Sequence, residues 1–327
     1  MNGCTPTDKP LLSILLSVYE PRRAWLREQL LSLEAQTWPN LRLYIRADGS
    51  GTITEEELRT LVRECVPSIP TEIEWGGENL GSTGSFERLT QHAEGEYFAY
   101  CDQDDVWLPR KLETLFKAIR EHNAELVCSD VLVTDENGYQ TAGSITEVRR
   151  HHVFRSGRGL APGLLVHNFA IGCTMLVRAD TARRAVPFCP YMVHDHYLAL
   201  FCAERGAVVS LPDKLVRYRL HGDNQTTLLA GVTDKKSYFD VRIRHMAQRL
   251  SWLEKHFECS AVTRRALEEA LVWANAREVN WEDGRGKKAV WQYRRFSPLP
   301  SAFELIAPAL PESVFRACVA AGKRNWL

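Results

Sequence analysis

Leu11–Tyr19 (LLSILLSVY), Leu41–Asp48 (LRLYIRAD), Thr71–Trp75 (TEIEW) and Glu96–Cys101 (EYFAYC) are short, mostly apolar runs separated by longer stretches with helical signals. Near-continuous apolar runs of this length suit strands buried on both faces. Helices between them are what a parallel sheet needs to cross over. A helix is expected from Pro21 to about Gln36. Thr54 followed by three glutamates predicts another, with acids in its first turn. A third is expected over Phe86–Glu94. A fourth opens near Pro109, with Leu112, Leu115, Phe116 and Ile119 at i, i+3, i+4 and i+7. Such an alternation predicts an α/β fold with a mainly parallel central sheet and ligands at the strands' carboxyl ends.

The pattern then loosens. AELVCSDVLVTD has strand character and ends in the turn Asp135–Gly138. Residues 139–165 are polar, basic and Gly-rich, and read as a mobile loop. Phe169–Val177 is expected to be a strand, a helix is expected to begin near Asp195, and Ala207–His221 reads as two short strands. Beyond about residue 235 the signals are helical. Phe239, Ile243, Met246, Leu250, Leu253 and Phe257 recur at steps of four and three, one stripe on a long helix. The expected organisation is a catalytic α/β domain over 1–235 and a C-terminal helical region over 236–327.

Composition narrows the class. With 327 residues, 45% hydrophobic and 25% charged, the chain is ordinary globular material, which excludes disorder and fibrous repeats. Lys+Arg and Asp+Glu are both 41, so no basic excess argues for nucleic acid. The balance hides an asymmetry. Residues 1–235 carry 25 Lys+Arg against 31 Asp+Glu, a net of −6, and residues 236–327 carry 16 against 10, a net of +6. Basic residues among aromatics suggest peripheral contact with an anionic membrane through the C-terminal helices. Nine scattered cysteines with no CxxC predict a reducing, cytoplasmic setting. The longest mostly apolar stretch, Leu160–Val177, is interrupted by Pro162, His167 and Asn168, so no membrane span is expected.

The densest chemistry is Asp102-Gln103-Asp104-Asp105, directly after the fourth apolar run. Three carboxylates in four residues repel one another and gain nothing from burial. At the carboxyl end of a parallel strand they suit a divalent cation carrying a diphosphate. An acidic turn capping the next helix is the plainer alternative, weakened by the buried strand before it and Trp-Leu-Pro after it. The pairs His151-His152 and His194/His196 lack nearby cysteines at finger spacing, which excludes a zinc finger.

LSVYEP, RADGSG, ENLGSTGSF, YCDQDDVWLPRKL, HDHYLALFCAERG and RLHGDN, in this order over roughly residues 10–230, resemble the inverting family 2 glycosyltransferases with the GT-A fold. The DQDDVWLPRKL form is most similar to the rhamnosyltransferase-like subgroup, which builds bacterial surface polysaccharides such as those of lipopolysaccharide. The resemblance implies a nucleotide-sugar donor, dTDP-L-rhamnose, with a UDP-linked hexose as the alternative. The implied acceptor is a hydroxyl of a growing glycan, on a lipid diphosphate carrier at the cytoplasmic face of the inner membrane. The implied cofactor is Mg²⁺ or Mn²⁺. It places Ser17, Tyr19 and Glu20 at the nucleotide base, where Tyr19 stacking contributes about 1–3 kcal/mol by analogy with base–aromatic contacts. It places Asp48 on the base as an acceptor, and Asn79, Gly81, Gly84 and Ser85 in a loop against the donor. The family often has Asn where Ser85 stands. Arg88 either faces the site or is solvated.

Within the acidic block the resemblance puts Asp102 near the ribose and Asp104 on the metal. Asp105 is structural or faces the acceptor, and Trp107 lines the sugar pocket or packs beneath the loop. Asp195 matches the general base that takes the acceptor's proton. His194 departs from the usual acid there and is expected to change the site's charge below about pH 6.5. His221 is implied as a metal ligand or a diphosphate contact, with Asn224 in the same block. A dinucleotide dehydrogenase would carry G-x-G-x-x-G after the first strand, and SVYEPRR stands there instead. The Gly-rich loop of a sugar nucleotidyltransferase is also absent. A non-catalytic sugar-binding module would not need Asp195 and DQDD together.

Overall fold

A computed structural model describes residues 9–49, 51–222, 229 and 231–324 of the chain. Strands β1 (Leu12–Val18), β2 (Leu41–Asp48), β3 (Thr71–Gly76) and β4 (Tyr97–Cys101) run parallel, in the order β3-β2-β1-β4. The crossovers are α1 (Arg23–Glu34), α2 (Glu55–Cys65) and α3 (Gly81–His92). These match the apolar runs closely. Helix α2 starts where the acids predict it, with a reciprocal capping box between Thr54 and Glu57 worth about 1 kcal/mol.

Alternate residues of each strand serve two cores. Leu12, Ile14 and Leu16 of β1 and Tyr97, Ala99 and Cys101 of β4 join one cluster, under α1, α2 and α4 (Lys111–Glu121). Leu15, Phe98 and Tyr100 join the other, on the opposite face.

The second half of the sheet departs from expectation. After β5 (Val106–Trp107) and α4 come β6 (Ala124–Thr134), β7 (Gln140–Ala142), β8 (Leu176–Arg178) and β9 (Ala207–Arg219). The order continues β4-β8-β6-β9-β5, with β8 antiparallel to both neighbours and β6 parallel to β9. The sheet is therefore mixed in this half, while its longest pairing, β6 with β9, stays parallel. Ala207–His221, read as two strands, holds one long strand whose partner register slips around Ser129–Asp130 opposite Pro212. The expected strand Phe169–Val177 is irregular over 169–171, turns through a 3₁₀ turn at Gly172–Thr174, and becomes strand only from Leu176, the start of β8. Residues 139–165 are not one loop; they hold β7 and the short helices α5 (Ile145–Val148) and α6 (Ala161–Leu164). Helices α7 (Ala179–Arg184) and α8 (His194–Arg205) complete this half.

From residue 235 the described chain is helical: α9 (Lys235–Tyr238), a π turn over Phe239–Arg244, α10 (His245–His256), α11 (Ala261–Asp283), α12 (Lys287–Gln292), α13 (Pro298–Glu304) and α14 (Glu312–Arg324). The expected stripe is present, interrupted by the π turn. Leu250, Leu253 and Phe257 share one core with Tyr197 and Leu198 of α8 and with Leu267, Trp273 and Ala274 of α11. The change at 235/236 is thus one of element type, with packing continuous across it. A smaller third cluster joins Tyr238, Phe239 and Ile243 to Phe315 and Val319. The eight cysteines among the described residues are all free. No helix among the described residues is long and apolar enough to cross a membrane.

Candidate functional site

The carboxyl ends of β1, β2 and β4 meet the acidic block. Gln103 ties it to β1: its amide donates to the Tyr19 carbonyl (2.8 Å), and its Oε1 accepts from the Tyr19 N–H (2.9 Å). The Tyr19 ring stays 45% exposed, open to a flat ligand. Ser17 is half-buried on the same strand end. Glu20 has a positive φ of 44° and accepts from the Gly51 N–H.

Asp48 is placed differently from expectation. It is only 2% exposed, and both oxygens are engaged: Arg46 donates to one, and the Leu80 N–H and Ser85 hydroxyl donate to the other. It acts as the anion at the start of α3, where the helix dipole favours negative charge, and is held by these protein donors instead of standing as a free acceptor. This also explains why α3 begins at Gly81, well before Phe86. Asn79 caps the Gly81 N–H (2.8 Å), and Gly81 takes the left-handed φ of 67°. Arg88 turns away from the site to pair with Glu74, which also binds Arg46.

Asp102 and Asp104 are half-buried in the cleft, whereas Asp105 points inward at 1% exposed. Asp105 Oδ1 accepts from the Arg219 N–H (3.0 Å), so it is a scaffold group and faces no acceptor. Burial, with Asp104, Asp105 and Asp195 nearby, pushes the Asp102 carboxyl well above its usual range. Trp107 is buried on β5 and lines no sugar pocket; its backbone N–H donates to Ser32 Oγ. Under it lies a group that the sequence reading missed. Lys111 is fully buried, its ammonium 2.9 Å from the Trp107 ring centroid and close enough to Asp102 and Asp105 to feel their charge. Desolvation moves the two towards neutrality, Asp105 upwards and Lys111 downwards. Nothing in the local sequence marks Lys111, and only the packing of α4 under the loop reveals it.

Arg219 at the end of β9 clamps the block. Its Nε donates to the Asp104 carbonyl (2.9 Å), one terminal nitrogen to the Glu136 carbonyl and the other to Glu28 (2.6 Å). His221 follows, and its Nε2 donates to Asp104 Oδ2 (2.8 Å) while its ring rests on Trp25. Two half-buried carboxylates with an imidazole at one of them form an oxygen-rich donor set that fits Mg²⁺ or Mn²⁺. Asp102, Asp105 and the Cys173 thiol also cluster, with ligand atoms within 4.8 Å of one another. Asn224 lies outside the described residues.

Asp195 sits at the start of α8, 8% exposed. Asn168 donates to one oxygen (3.1 Å), the Gly172 N–H to the other (3.1 Å), and the His196 N–H also binds (2.5 Å). Burial lifts its pKa to about 6, and those hydrogen bonds limit the rise. The Gly172–Cys173 turn links it to the acidic block: the Gly172 N–H binds Asp195, and the Cys173 thiol clusters with Asp102 and Asp105. A Cβ on Gly172 would lie 2.8 Å from His194 Nε2, so only glycine lets this turn approach α8 so closely. His194 is a correction. It is buried against Phe86, ring centroids 4.0 Å apart, and burial lowers its pKa to about 3. It stays neutral and supplies no charge change near pH 6.5. Gly172 lay in a run read as plain strand, and Asn168 read only as a break in an apolar stretch, so neither was linked to Asp195.

Two surface hollows of ≈ 500 and ≈ 580 Å³ lie along α2, lined by residues such as Arg23, Glu57 and Arg59, many of them ion-paired. Neither touches the acidic block.

The sequence model described as Glycosyl transferase family 2 matches residues 13–183. A glycosyltransferase of Methanocaldococcus jannaschii, itself uncharacterized, is 32% identical over 133 residues, 40% of this chain and 45% of that protein. This chain thus spans about half the length of that relative. Another from Nostoc sp. is 23% identical over 235 residues, 69% of each chain. Among solved structures, a mannosyltransferase of Pyrobaculum calidifontis in complex with GDP-Man and Mn²⁺ superimposes with a TM-score of 0.59 at 16% identity, covering 98% of this chain and 84% of that one. S. aureus TarS 1–349 in complex with UDP-GlcNAc gives 0.55 at 13% identity, covering 90% and 84%. At these identities the likeness establishes the fold, that of the GT-A glycosyltransferases.

Proposed function

The chain belongs to glycosyl transferase family 2, and on that premise we propose that it transfers a sugar from a nucleotide donor to a glycan hydroxyl with inversion. One observation carries the reading: through the Gly172–Cys173 turn, Asp195 stands beside the acidic block at the end of β4, Gly172 binding Asp195 and Cys173 clustering with Asp102. The donor's base lies on the exposed Tyr19 ring beside Ser17 and Glu20. Asn79 and Gly81 border its nucleotide, and the diphosphate lies towards Asp102 and Asp104. Asp104 and His221 would hold a divalent ion, which would supply positive charge against the diphosphate. Asp195 accepts the proton of the attacking hydroxyl on the face opposite the leaving group. Asn168 and the Gly172 N–H keep its oxygens aimed. Asp105, Lys111 and Arg219 hold the acidic loop in shape from beneath.

The proposed donor is dTDP-L-rhamnose, by resemblance of the DQDDVWLPRKL block. Inversion of its β-linked sugar gives an α-rhamnoside of a surface polysaccharide. The second reading is a UDP-hexose; the S. aureus TarS complex with UDP-GlcNAc supports it. Calorimetry with dTDP and UDP, with and without Mn²⁺, tests both. The expected result is tighter dTDP binding and at least about a tenfold gain from Mn²⁺, about 1.4 kcal/mol, lost in Asp104→Asn. Equal binding of both nucleotides without metal dependence removes the donor assignment and the Asp104 role together.

A membrane role for the basic helices rests on exposure. Trp291, Leu299 and Ile306 are exposed beside Lys287, Lys288, Arg294 and Arg295. Aromatic and apolar groups rimmed by cations suit an anionic lipid interface. Because α10 and α11 complete the core under α8, the test is substitution in the full chain and not truncation. Flotation with phosphatidylglycerol-containing liposomes should recover wild type. A Trp291→Ser/Lys287→Gln/Lys288→Gln variant should stay unbound; equal flotation of the two ends this idea.

A further inference from the structure

Two arginines and a histidine line one face of the segment that leads into α10. Arg242, His245 and Arg249 stand at i, i+3 and i+7, beside the apolar stripe and not in it. Arg242 is on the π turn Phe239–Arg244, a distortion that is frequent at functional sites. All three are half-buried. Among the described residues no carboxylate comes within ion-pair distance, 4.0 Å, of Arg242 or Arg249. The acid that influences Arg242 is Glu304, and Arg277 already binds both of its oxygens.

The face is anchored beside Asp195. Arg249 Nε donates to the Tyr191 carbonyl (3.1 Å), and the His245 ring meets the Tyr191 ring edge-on at 5.7 Å, four residues ahead of Asp195. On the other wall, His167 adjoins Asn168, which binds Asp195, and donates to the Phe296 carbonyl. Like charges crowd here. Burial and then its cationic neighbours lower the proton affinity of His167, and the same holds for His245. Arg249 is brought to about 10 mainly by burial, with Arg242 adding to it. Half-buried guanidinium groups without a counter-ion are costly unless an anion completes them, and the planar fork is matched to phosphate oxygens.

We propose that Arg242 and Arg249, with His245 and His167 at the rim, form an anion subsite on the acceptor side of Asp195 that receives the phosphate or diphosphate of an anionic acceptor. This rests on the reading of Asp195 as the base that meets the acceptor. The subsite selects phosphate-bearing acceptors over neutral glycans and fixes the hydroxyl by holding the acceptor's charged end. Catalysis itself gains through positioning.

The test uses the full chain saturated with UDP and Mn²⁺, so that the donor side is filled before the probe is added. Geranyl diphosphate, inorganic pyrophosphate and geraniol are titrated separately by calorimetry. Geranyl diphosphate should bind, geraniol should not, and Arg242→Gln/Arg249→Gln should weaken binding at least tenfold with UDP affinity unchanged. Pyrophosphate binding with the same loss places recognition in the anion alone. Binding of geranyl diphosphate only assigns the subsite to a lipid-linked diphosphate. If the double variant unfolds, Arg242→Gln alone should still give a partial loss. Equal affinity of wild type and variants, or binding of neither anion by wild type, overturns the subsite. Failure of both UDP and dTDP to bind wild type would instead indict the reading of the acidic block as a nucleotide-sugar site.

Discussion

Asp195→Asn should bind nucleotide as wild type does and transfer sugar about 10²–10⁴-fold more slowly, the usual contribution of a positioned general base. The amide is nearly isosteric and keeps one acceptor for Asn168, Gly172 or His196, but it takes no proton. The pH profile of the wild-type enzyme gives an independent check. The carboxyl is raised from 3.8 to about 6 by burial, and only its ionised form is a base. Activity should therefore be full above about pH 7 and fall roughly tenfold per pH unit below 6. His194 adds no second limb in that range, because burial holds it neutral down to about 3. Transfer by Asp195→Asn at the wild-type rate, or a profile flat down to pH 5, would show that another group is the base.

Glu304→Ala should destabilise the protein by about 3–5 kcal/mol, a large share of the roughly 5–15 kcal/mol that holds a domain folded. Glu304 is fully buried and binds Arg277 through both oxygens at 2.6 Å, while Tyr238 donates to it at 2.8 Å. Removing it leaves a buried guanidinium with no partner charge. The loss concerns more than the C-terminal helices: α11, which carries Arg277, also packs in the core under α8. Denaturant unfolding should show one transition with a lowered midpoint. A loss under about 1 kcal/mol would mean that the pair is solvated, and two separate transitions would mean that the helical region folds as its own unit.

The parallel half of the sheet was legible because each of its strands is buried by its own residues. Leu12–Val18 and Tyr97–Cys101 are apolar on both faces, and period 2 distributes them between two cores whatever lies beyond. The acidic block was legible for a related reason: charge at the end of a buried strand has few structural explanations. Helix α2 was legible from its cap alone. These are local signals, carried by neighbours in sequence.

What failed was set by partners far along the chain. Gly172 looked like strand, yet its N–H serves Asp195 and its missing Cβ makes room for His194. His194 looked like a titratable neighbour of the base, yet Phe86 and Tyr100, some 100 residues earlier, bury it. Asp48 looked like a free acceptor at a strand end, yet Arg46, Leu80 and Ser85 fill it. The residue types and their order were enough to determine the class of fold, the family resemblance and the position of the acidic cleft. Which carboxylates stay open, which histidine stays neutral and which arginines stand uncompensated depended on burial. Burial is a sum over contacts brought together by folding, and desolvation, not residue type, decides how a charged group behaves.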